Sequence, residues 1–274
     1  SSNTRRGRCH TGRIRPTMKR GIAQFDLTGR RALVTGSSRG LGLAMATALA
    51  GAGAELVLNG RDEVALGKAA ADLAASGATV SALAFDVTSP DSVSNAISHC
   101  EDQIGPIDIL VNNAGMQIRG SLETYSHENF EAMLSAHVVS TFSVSKAVAQ
   151  HMLERGRGKI INICSILTNH ARPTAAPYGA AKAAIANLTR GMAADWAPRG
   201  LNINAIAPGY FKTDLNTTLM ADPAFDGWVK QRTPMGRWGE VEELGPAAIF
   251  LASDASSFVN GHILYVDGAF TATV

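Results

Sequence analysis

Three side chains able to move protons, Ser165, Tyr178 and Lys182, fall within one short stretch of the chain. Tyr178 and Lys182 are four residues apart, which places both on one face of a helix. Ser165 directly follows the apolar run from Ile160 to Cys164, which is typical of a buried strand. Because strand ends in a parallel sheet border the ligand crevice, Ser165 should face that crevice. A hydroxyl, a phenol and an amine meeting there could exchange protons with a substrate.

Short apolar runs alternate with longer helical segments from Asp26 onward, and this alternation predicts the elements that position the three residues. The predicted strands are Arg31–Thr35, Glu55–Asn59, Val80–Phe85, Asp108–Asn112, Lys159–Cys164, Leu201–Ile206 and His262–Val266. Strands that alternate with helices predict right-handed βαβ units. We therefore expect an α/β fold, a single Rossmann-type doubly wound parallel sheet of about seven strands with helices on both faces.

The predicted helices vary in length more than the strands do. They are Leu41–Ala52, Asp62–Ser76, Pro90–Ile104, His127–Arg155, Tyr178–Trp196 and Val241–Ser253. A loop-rich insert, Pro208–Met235, precedes the last of them, and its residues from Tyr210 to Arg232 are expected to cover the site as a lid. No linker divides this pattern, so residues 25–274 are predicted to form one domain.

The composition excludes several classes of protein. Hydrophobic residues make up 46% and charged residues 18% of the 274 residues, which is typical of a globular domain. No apolar run approaches the length of a membrane span, and no membrane partner is expected. The three cysteines, Cys9, Cys100 and Cys164, show no pattern. They predict neither a disulfide framework nor a metal site, and they favour the reducing cytoplasm.

The charge of the chain is concentrated at its beginning. Residues 1–17 contain five arginines and no acidic residue, so the rest of the chain is mildly acidic and no nucleic-acid partner is expected. We interpret residues 1–24 as disordered or as an over-extended reading frame, with Met18 as the start. The same arginines also fit a transit peptide, whereas the segment lacks the apolar stretch of a secretory signal.

A glycine-rich turn follows the first predicted strand and opens a helix, from Gly36 to Gly42. Such a turn brings backbone N–H groups and a helix N-terminus against a pyrophosphate, although a plain tight turn would look similar. The strand–turn–helix context favours a dinucleotide site. Its predicted contacts are Gly36, Ser38, Arg39, Gly40, Leu41 and Gly42.

The end of the second strand predicts which dinucleotide binds. An NAD site places a carboxylate there to hold the ribose 2′-hydroxyl, whereas this chain has Asn59, Gly60 and Arg61, with Asp62 beginning the next helix. A guanidinium suits a phosphate, so Arg61 and Arg39 are expected to bind a 2′-phosphate and Asn59 to line the same pocket. NADP(H) is therefore the expected cofactor and NAD(H) the alternative, unless Arg61 is only an exposed loop charge.

These motifs together resemble the classical short-chain dehydrogenases/reductases from about Leu27 to the C-terminus. The matching residues are Thr35–Gly42, Asp86–Val87, Asn112–Gly115, Ser165, Tyr178 with Lys182, and Pro208–Gly209 with Thr213. The resemblance implies an enzyme that oxidises or reduces a CH–OH group with NAD(P). It also implies cofactor contacts from Asp86, Val87, Asn113, Ala114, Gly115, Tyr178, Lys182, Pro208, Gly209, Phe211 and Thr213.

The implied mechanism assigns one role to each of the three proton-moving residues. Tyr178 would give a proton to a ketone oxygen, Ser165 would orient that oxygen, and Lys182 would hold the nicotinamide ribose. A cation about 4 Å away contributes roughly 4 kcal/mol at an effective dielectric constant of about 20. We therefore expect Lys182 to move the pKa of Tyr178 from about 10 toward neutrality.

His137 occupies a position where the family usually has an asparagine that supports a proton-relay water. We include His137 among the candidate catalytic residues, because it could hold such a water or relay a proton itself. It could equally be a core histidine whose hydrogen bonds are satisfied.

The substrate is expected to be small and polar. Arg119 and Arg172 lie in loops that border the crevice, and two guanidinium groups suit a carboxylate unless both are solvated loop charges.

Three stretches, Gly158–Ser165, Thr233–Glu240 and Phe250–Gly268, resemble gluconate 5-dehydrogenase-like members, which implies a sugar acid of the gluconate and 5-ketogluconate type. A 3-oxoacyl-thioester reductase and a non-catalytic NADP-binding regulator are the alternatives. The resemblance also implies a homotetramer.

Overall fold

Seven parallel strands form one sheet in the computed structural model, which describes residues 20–273. The interpretation of residues 1–19 therefore lies outside the described residues. Residues Gly21–Phe25 form a short 3-10 helix, and the Phe25 ring lies 6.4 Å from that of Phe250. None of the helices between residues 20 and 273 has the length and apolar character needed to cross a bilayer.

The strands confirm the predicted fold, and each end lies within two residues of its predicted position. They are β1 Arg31–Val34, β2 Glu55–Gly60, β3 Val80–Ala84, β4 Ile109–Asn112, β5 Gly158–Ile163, β6 Leu201–Pro208 and β7 Ile263–Val266. Their order in the sheet is β3-β2-β1-β4-β5-β6-β7. The chain reverses its direction of travel across the sheet between β1 and β4, and an α/β sheet opens its ligand crevice at such a point.

Nine α-helices flank the sheet within the described residues. They are α1 Gly40–Gly51, α2 Glu63–Ala75, α3 Pro90–His99, α4 His127–Leu134, α5 Ser140–Arg155, α6 Ala176–Trp196, α7 Thr217–Met220, α8 Pro223–Arg232 and α9 Gly245–Ala252. Two helices predicted as continuous contain a π-helical turn, at Cys100–Ile104 and at Ser135–Val139. The predicted insert after β6 is also less irregular than expected, because it contains α7 and α8.

The strands are buried on both faces, which explains their uninterrupted apolar sequences. In β1, Ala32 and Val34 pack into one core with α1 and α9, whereas Leu33 packs into the other core with α3 and α5. Both cores hold the sheet rigid, so the loops at the carboxyl ends of its strands have fixed starting points.

Candidate active site

Two adjoining cavities open along the carboxyl ends of the strands. One, of about 430 Å³, is lined by Ser165 and Tyr178, and we call it the Ser165 cavity. The other, of about 580 Å³, is lined by Asn59 and Asp86, and we call it the Asp86 cavity. Five residues line both of them: Gly36, Arg39, Asn113, Gly115 and Met116. The two cavities therefore form one groove along the edge of the sheet.

The three proton-moving residues meet in the Ser165 cavity. Ser165 lies two residues after the end of β5 and is 8% exposed, and its hydroxyl oxygen accepts a hydrogen bond from the Leu167 N–H at 3.1 Å. Lys182 is buried on α6 and donates from Nζ to the Ile163 carbonyl at 2.7 Å. Tyr178, one turn earlier on α6, is partly exposed to the cavity, and the Lys182 Nζ lies 5.5 Å from the centre of its ring.

A buried polar network fixes α6 against the sheet at this point. The Asn112 amide on β4 donates to the Asn162 Oδ1 on β5 at 2.8 Å and to the Ser145 hydroxyl on α5 at 2.8 Å. Asn162 in turn donates to the Thr189 hydroxyl on α6 at 2.9 Å. Because buried amides must be satisfied, this chain of bonds fixes the register of α6 relative to the strands.

Burial dominates the ionisation of the two residues on α6. It lowers the pKa of Lys182 to about 8, because the cavity disfavours the ammonium. It raises the pKa of Tyr178 to about 12, and the Ser165 hydroxyl offsets this only in part. The expected shift of Tyr178 toward neutrality is therefore wrong for the chain by itself. The physical reason is that the desolvation of the phenolate outweighs the contacts that stabilise it.

The glycine-rich turn lies where the two cavities meet. Gly36 and Gly40 have φ angles of +62° and +58°, which favour glycine. A Cβ on Gly42 would lie 2.3 Å from the Gly36 carbonyl oxygen, so a side chain there would force α1 away from the turn. The Asn113 amide donates to the carbonyls of Thr35 and Gly36 at 3.0 and 2.9 Å and so supports the turn from β4.

Within residues 20–273, the N-terminus of α1 lacks the side-chain cap that α2, α3 and α4 have. Side chains of Asp62, Ser89 and Ser126 cap α2, α3 and α4. At α1 no side chain of the described residues caps the helix, and its first turn holds no acidic residue. The free N–H groups of α1 therefore point into the groove as an anion site.

The far end of the groove carries the groups expected to distinguish the dinucleotides. Asp62, the carboxylate that follows β2, accepts hydrogen bonds from the N–H groups of Val64 and Ala65 at 3.0 Å each, and so it serves as a helix cap. Arg39 and Arg61 line the Asp86 cavity and are exposed. Hydrogen bonds from the Thr88 N–H and hydroxyl lower the pKa of Asp86, and the Arg61 charge adds to this effect.

Asn59 has a supporting position at this end. It is 1% exposed, its amide donates to the Phe85 carbonyl at 3.0 Å, and its Oδ1 accepts from the Gly36 N–H at 3.3 Å. It therefore ties β2 to the loop after β3 and to the glycine-rich turn.

Two arginines, Arg119 and Arg172, line the Ser165 cavity. Arg119 donates to the Gln117 side-chain oxygen at 3.2 Å, and Arg172 donates to the Tyr210 hydroxyl at 3.4 Å. Burial and then the Arg172 charge lower the pKa of Arg119. The Arg172 Nε is buried and has no hydrogen-bond partner among residues 20–273. Two close guanidinium groups with so few acceptors form an environment that attracts an anion.

Every site residue predicted from the sequence lines one of the two cavities. In the Ser165 cavity these are Gly36, Arg39, Gly40, Leu41, Gly42, Asn113, Gly115, Arg119, His137, Ser165, Arg172, Tyr178, Lys182, Pro208, Gly209, Phe211 and Thr213. In the Asp86 cavity the additional ones are Ser38, Asn59, Arg61, Asp86, Val87 and Ala114. The structure thus brings the whole set into one groove, and their individual roles stay predictions.

Sequence reasoning did not include several residues of the groove wall among the site residues. Met116, Tyr210 and Asp214 line the Ser165 cavity. Tyr210 lies at the centre of four aromatic rings, at centroid distances from 5.5 to 5.8 Å; they belong to Phe225, Trp228, Trp238 and Phe270. The signals in the sequence were its place at the start of the predicted lid Tyr210–Arg232 and its position directly after Pro208 and Gly209.

Comparisons with known proteins agree with this geometry. A family model described as enoyl-(acyl carrier protein) reductase matches residues 36–271. The gluconate 5-dehydrogenase of Gluconobacter oxydans is 52% identical over 250 residues, which are 91% of this chain and 98% of that protein. The chain belongs to the short-chain dehydrogenase/reductase family. The resemblance seen in the sequence is confirmed.

Two further members of the short-chain dehydrogenase/reductase family cover nearly the same range. The 5-keto-D-gluconate 5-reductase of Escherichia coli K12 is 43% identical over 254 residues, with 91% of this chain and 98% of that protein covered. The crystal structure of a gluconate 5-dehydrogenase from Burkholderia cenocepacia J2315 in complex with NADP and tartrate superposes with a TM-score of 0.90. That protein is 50% identical, and the match covers 92% of this chain and 98% of that one.

The groove fits the nicotinamide dinucleotide that this family uses. The uncapped N-terminus of α1 suits a pyrophosphate, and the guanidinium groups of Arg39 and Arg61 suit a further phosphate. The groove continues from there to Tyr178 and Lys182, so a dinucleotide along it would place its reactive end beside them.

Proposed function

We propose that the chain is an NADP(H)-dependent oxidoreductase that interconverts a secondary alcohol and a ketone on a sugar acid of the gluconate and 5-ketogluconate type. The observation that carries the proposal is the meeting of Ser165, Tyr178 and Lys182 in one cavity with the anion-attracting pair Arg119 and Arg172. The gluconate 5-dehydrogenase and 5-keto-D-gluconate 5-reductase relatives support the substrate class.

The roles of this chain's own residues follow from their chemistry. Tyr178 keeps its proton over the physiological range, because its pKa is raised to about 12, and so its phenol can donate to a carbonyl oxygen. The Ser165 hydroxyl orients that oxygen. Lys182, in the wall of the Ser165 cavity, donates hydrogen bonds to ligand hydroxyls. A reduced nicotinamide, when bound, supplies a hydride to the carbonyl carbon. Arg119 and Arg172 hold the substrate carboxylate.

The cofactor preference rests on the end of β2. Arg61 and Arg39 bind the 2′-phosphate, and Asp62, the carboxylate that follows β2, is engaged as the cap of α2. The Burkholderia relative crystallised with NADP supports this assignment.

Substrate turnover tests the proposal directly. We expect the purified chain to oxidise NADPH in the presence of 5-keto-D-gluconate and to reduce NADP⁺ in the presence of gluconate, followed by the absorbance of the reduced nicotinamide. Tyr178→Phe should abolish turnover while cofactor binding persists. Arg119→Ala should raise KM for the sugar acid more than it changes kcat. Turnover with acetoacetyl thioesters and none with the keto acid would favour a 3-oxoacyl-thioester reductase instead, and no turnover with any ketone would favour a regulator.

The proposal also covers the domain organisation, the oligomeric state and the cellular location of the chain. Residues 25–274 form one short-chain dehydrogenase/reductase domain, and four copies assemble into a homotetramer. Exposed apolar side chains on α4 and in and after the π-helical turn that follows it, Phe130, Val139 and Phe142, support a subunit contact. The buried free thiols of Cys100 and Cys164 support the reducing cytoplasm as the location.

A further inference from the structure

His137 lies in the wall of the Ser165 cavity, and the proposed chemistry leaves its imidazole without a role. It belongs to the π-helical turn Ser135–Val139 between α4 and α5, and it is 2% exposed. Single π-helical turns are frequent at functional sites.

The hydrogen bond of the ring determines its tautomer. Nε2 lies 2.6 Å from the Met116 carbonyl oxygen and 3.3 Å from the Met116 backbone nitrogen, and the much shorter contact with the oxygen decides the role of Nε2. A nitrogen lone pair would repel that oxygen at such a distance, so Nε2 carries the hydrogen and donates it. Nδ1 is then an acceptor, and it is buried without a hydrogen-bond partner among the described residues. Because buried acceptors are normally hydrogen-bonded, Nδ1 should accept a hydrogen bond from a donor outside the described residues.

The ring is also kept uncharged. Burial, and then the nearby Lys182 charge, lower the pKa of His137 to about 3. An imidazole with this pKa does not take up a proton at neutral pH, so His137 cannot relay one through a charged form.

Two contacts fix the ring in place. It packs edge-on against Tyr178, with centroids 5.4 Å apart and planes at 85°. A Cβ on Gly115 would lie 2.3 Å from the His137 Cε1, so only glycine leaves room for the ring. The imidazole therefore contacts both the proton-donating phenol and the loop that follows β4.

We propose that His137 is a positioning residue: a neutral imidazole, locked in its Nε2–H form, that orients the ring of Tyr178 and offers Nδ1 as acceptor to an O–H group in the cavity. The O–H group belongs to a water molecule or to a hydroxyl of the substrate. The inference rests on the proposed function, because it relies on Tyr178 as the proton donor.

Nitrogen NMR of the histidine rings tests the tautomer without any substrate. In the ring-labelled chain, we expect one histidine to show the neutral Nε2–H pattern and to keep it down to about pH 5, where exposed histidines are protonated. Its signals should vanish in His137→Asn and persist in His127→Asn, a matched change at an exposed position on the neighbouring helix. A proton on Nδ1, or protonation of His137 above about pH 5, would overturn the proposal whatever the substrate is.

Kinetics test the acceptor. His137→Phe keeps a ring against Tyr178 but removes both nitrogens, so kcat should fall by about tenfold or more, with KM for NADPH changed less than about twofold. His137→Asn provides an amide oxygen and should recover most of kcat. A loss with both a hydroxyl-free ketone and the sugar acid assigns the donor to water, whereas a loss with the sugar acid alone assigns it to the substrate. Wild-type kcat in His137→Phe would refute the proposal, and the NMR measurement decides the tautomer if that variant does not fold.

Discussion

The two ionisable residues on α6 have pKa values that move in opposite directions, because burial disfavours the charged form of each. The pKa of Lys182 falls to about 8, and the pKa of Tyr178 rises to about 12. The proton donor and the cation beside it therefore lose their protons in different pH ranges, and the lysine does so first.

This order predicts the pH dependence of ketone reduction. If Lys182 must be charged to hold ligand hydroxyls, kcat/KM should be constant below about pH 7 and fall roughly tenfold per pH unit above about pH 8. The measurement is kcat/KM for NADPH-dependent reduction across that range in buffers of constant ionic strength. A profile that stays level well above pH 8 would show that Lys182 does not control the step.

Arg61 should contribute to the preference for NADPH over NADH. Arg61→Ser removes a guanidinium from the Asp86 cavity, so kcat/KM for NADPH should fall by about 10-fold to 100-fold, equivalent to roughly 1.4 to 2.8 kcal/mol, while NADH is little affected. Steady-state kinetics with both cofactors give the ratio. Arg199→Ser, at an exposed arginine outside both cavities, serves as the control. An equal loss with both cofactors would contradict 2′-phosphate recognition.

At the scale of elements, the sequence predicts most where burial is most uniform. The strand Ile109–Asn112 is buried at each residue, and its apolar run locates it without knowledge of its partners. The two π-helical turns could not be foreseen, because the continuous helical pattern contains no signal for an extra residue per turn. The aromatic contacts of Tyr210 could not be predicted from the sequence either, since they join residues far apart in the chain.

Lys159 on β5 shows how an element tolerates a buried charge. Its Nζ donates to the Ser256 hydroxyl at 3.3 Å, and burial, then the Arg30 charge, lower its pKa to about 8. Replacing it by methionine should raise the free energy of unfolding at neutral pH by about 1 to 3 kcal/mol, because the ammonium no longer has to be desolvated.

The gap in free energy of unfolding between the wild-type protein and Lys159→Met should depend on pH. Between about pH 8 and pH 10 the native lysine has lost its proton and the unfolded one has not, so wild-type stability rises toward that of Lys159→Met. Urea unfolding of both proteins at several pH values measures the gap, with Lys68→Met, on the exposed face of α2, as the control. A gap that stays constant with pH would assign the effect to packing alone.

At the scale of the whole molecule, the α4–α5 surface is not that of a typical isolated domain. Phe130, Val139 and Phe142 are 38%, 45% and 48% exposed. Val139 and Phe142 are three residues apart and are therefore neighbours on the helix surface. Neighbouring exposed apolar side chains such as Val139 and Phe142 are typical of a surface that another molecule covers.

A charge placed on that surface should break the proposed tetramer. In Phe142→Glu, a carboxylate would have to be desolvated in the interface, so the assembly should dissociate into smaller species at micromolar concentration. Light scattering coupled to size-exclusion chromatography gives the mass. The control is Val64→Glu, because Val64 is 85% exposed but lies on α2. Since His137 belongs to the same π-helical turn as Val139 and packs against Tyr178, the dissociated form should also lose part of its kcat. A Phe142→Glu protein that keeps the wild-type mass would place the subunit contact on a different surface.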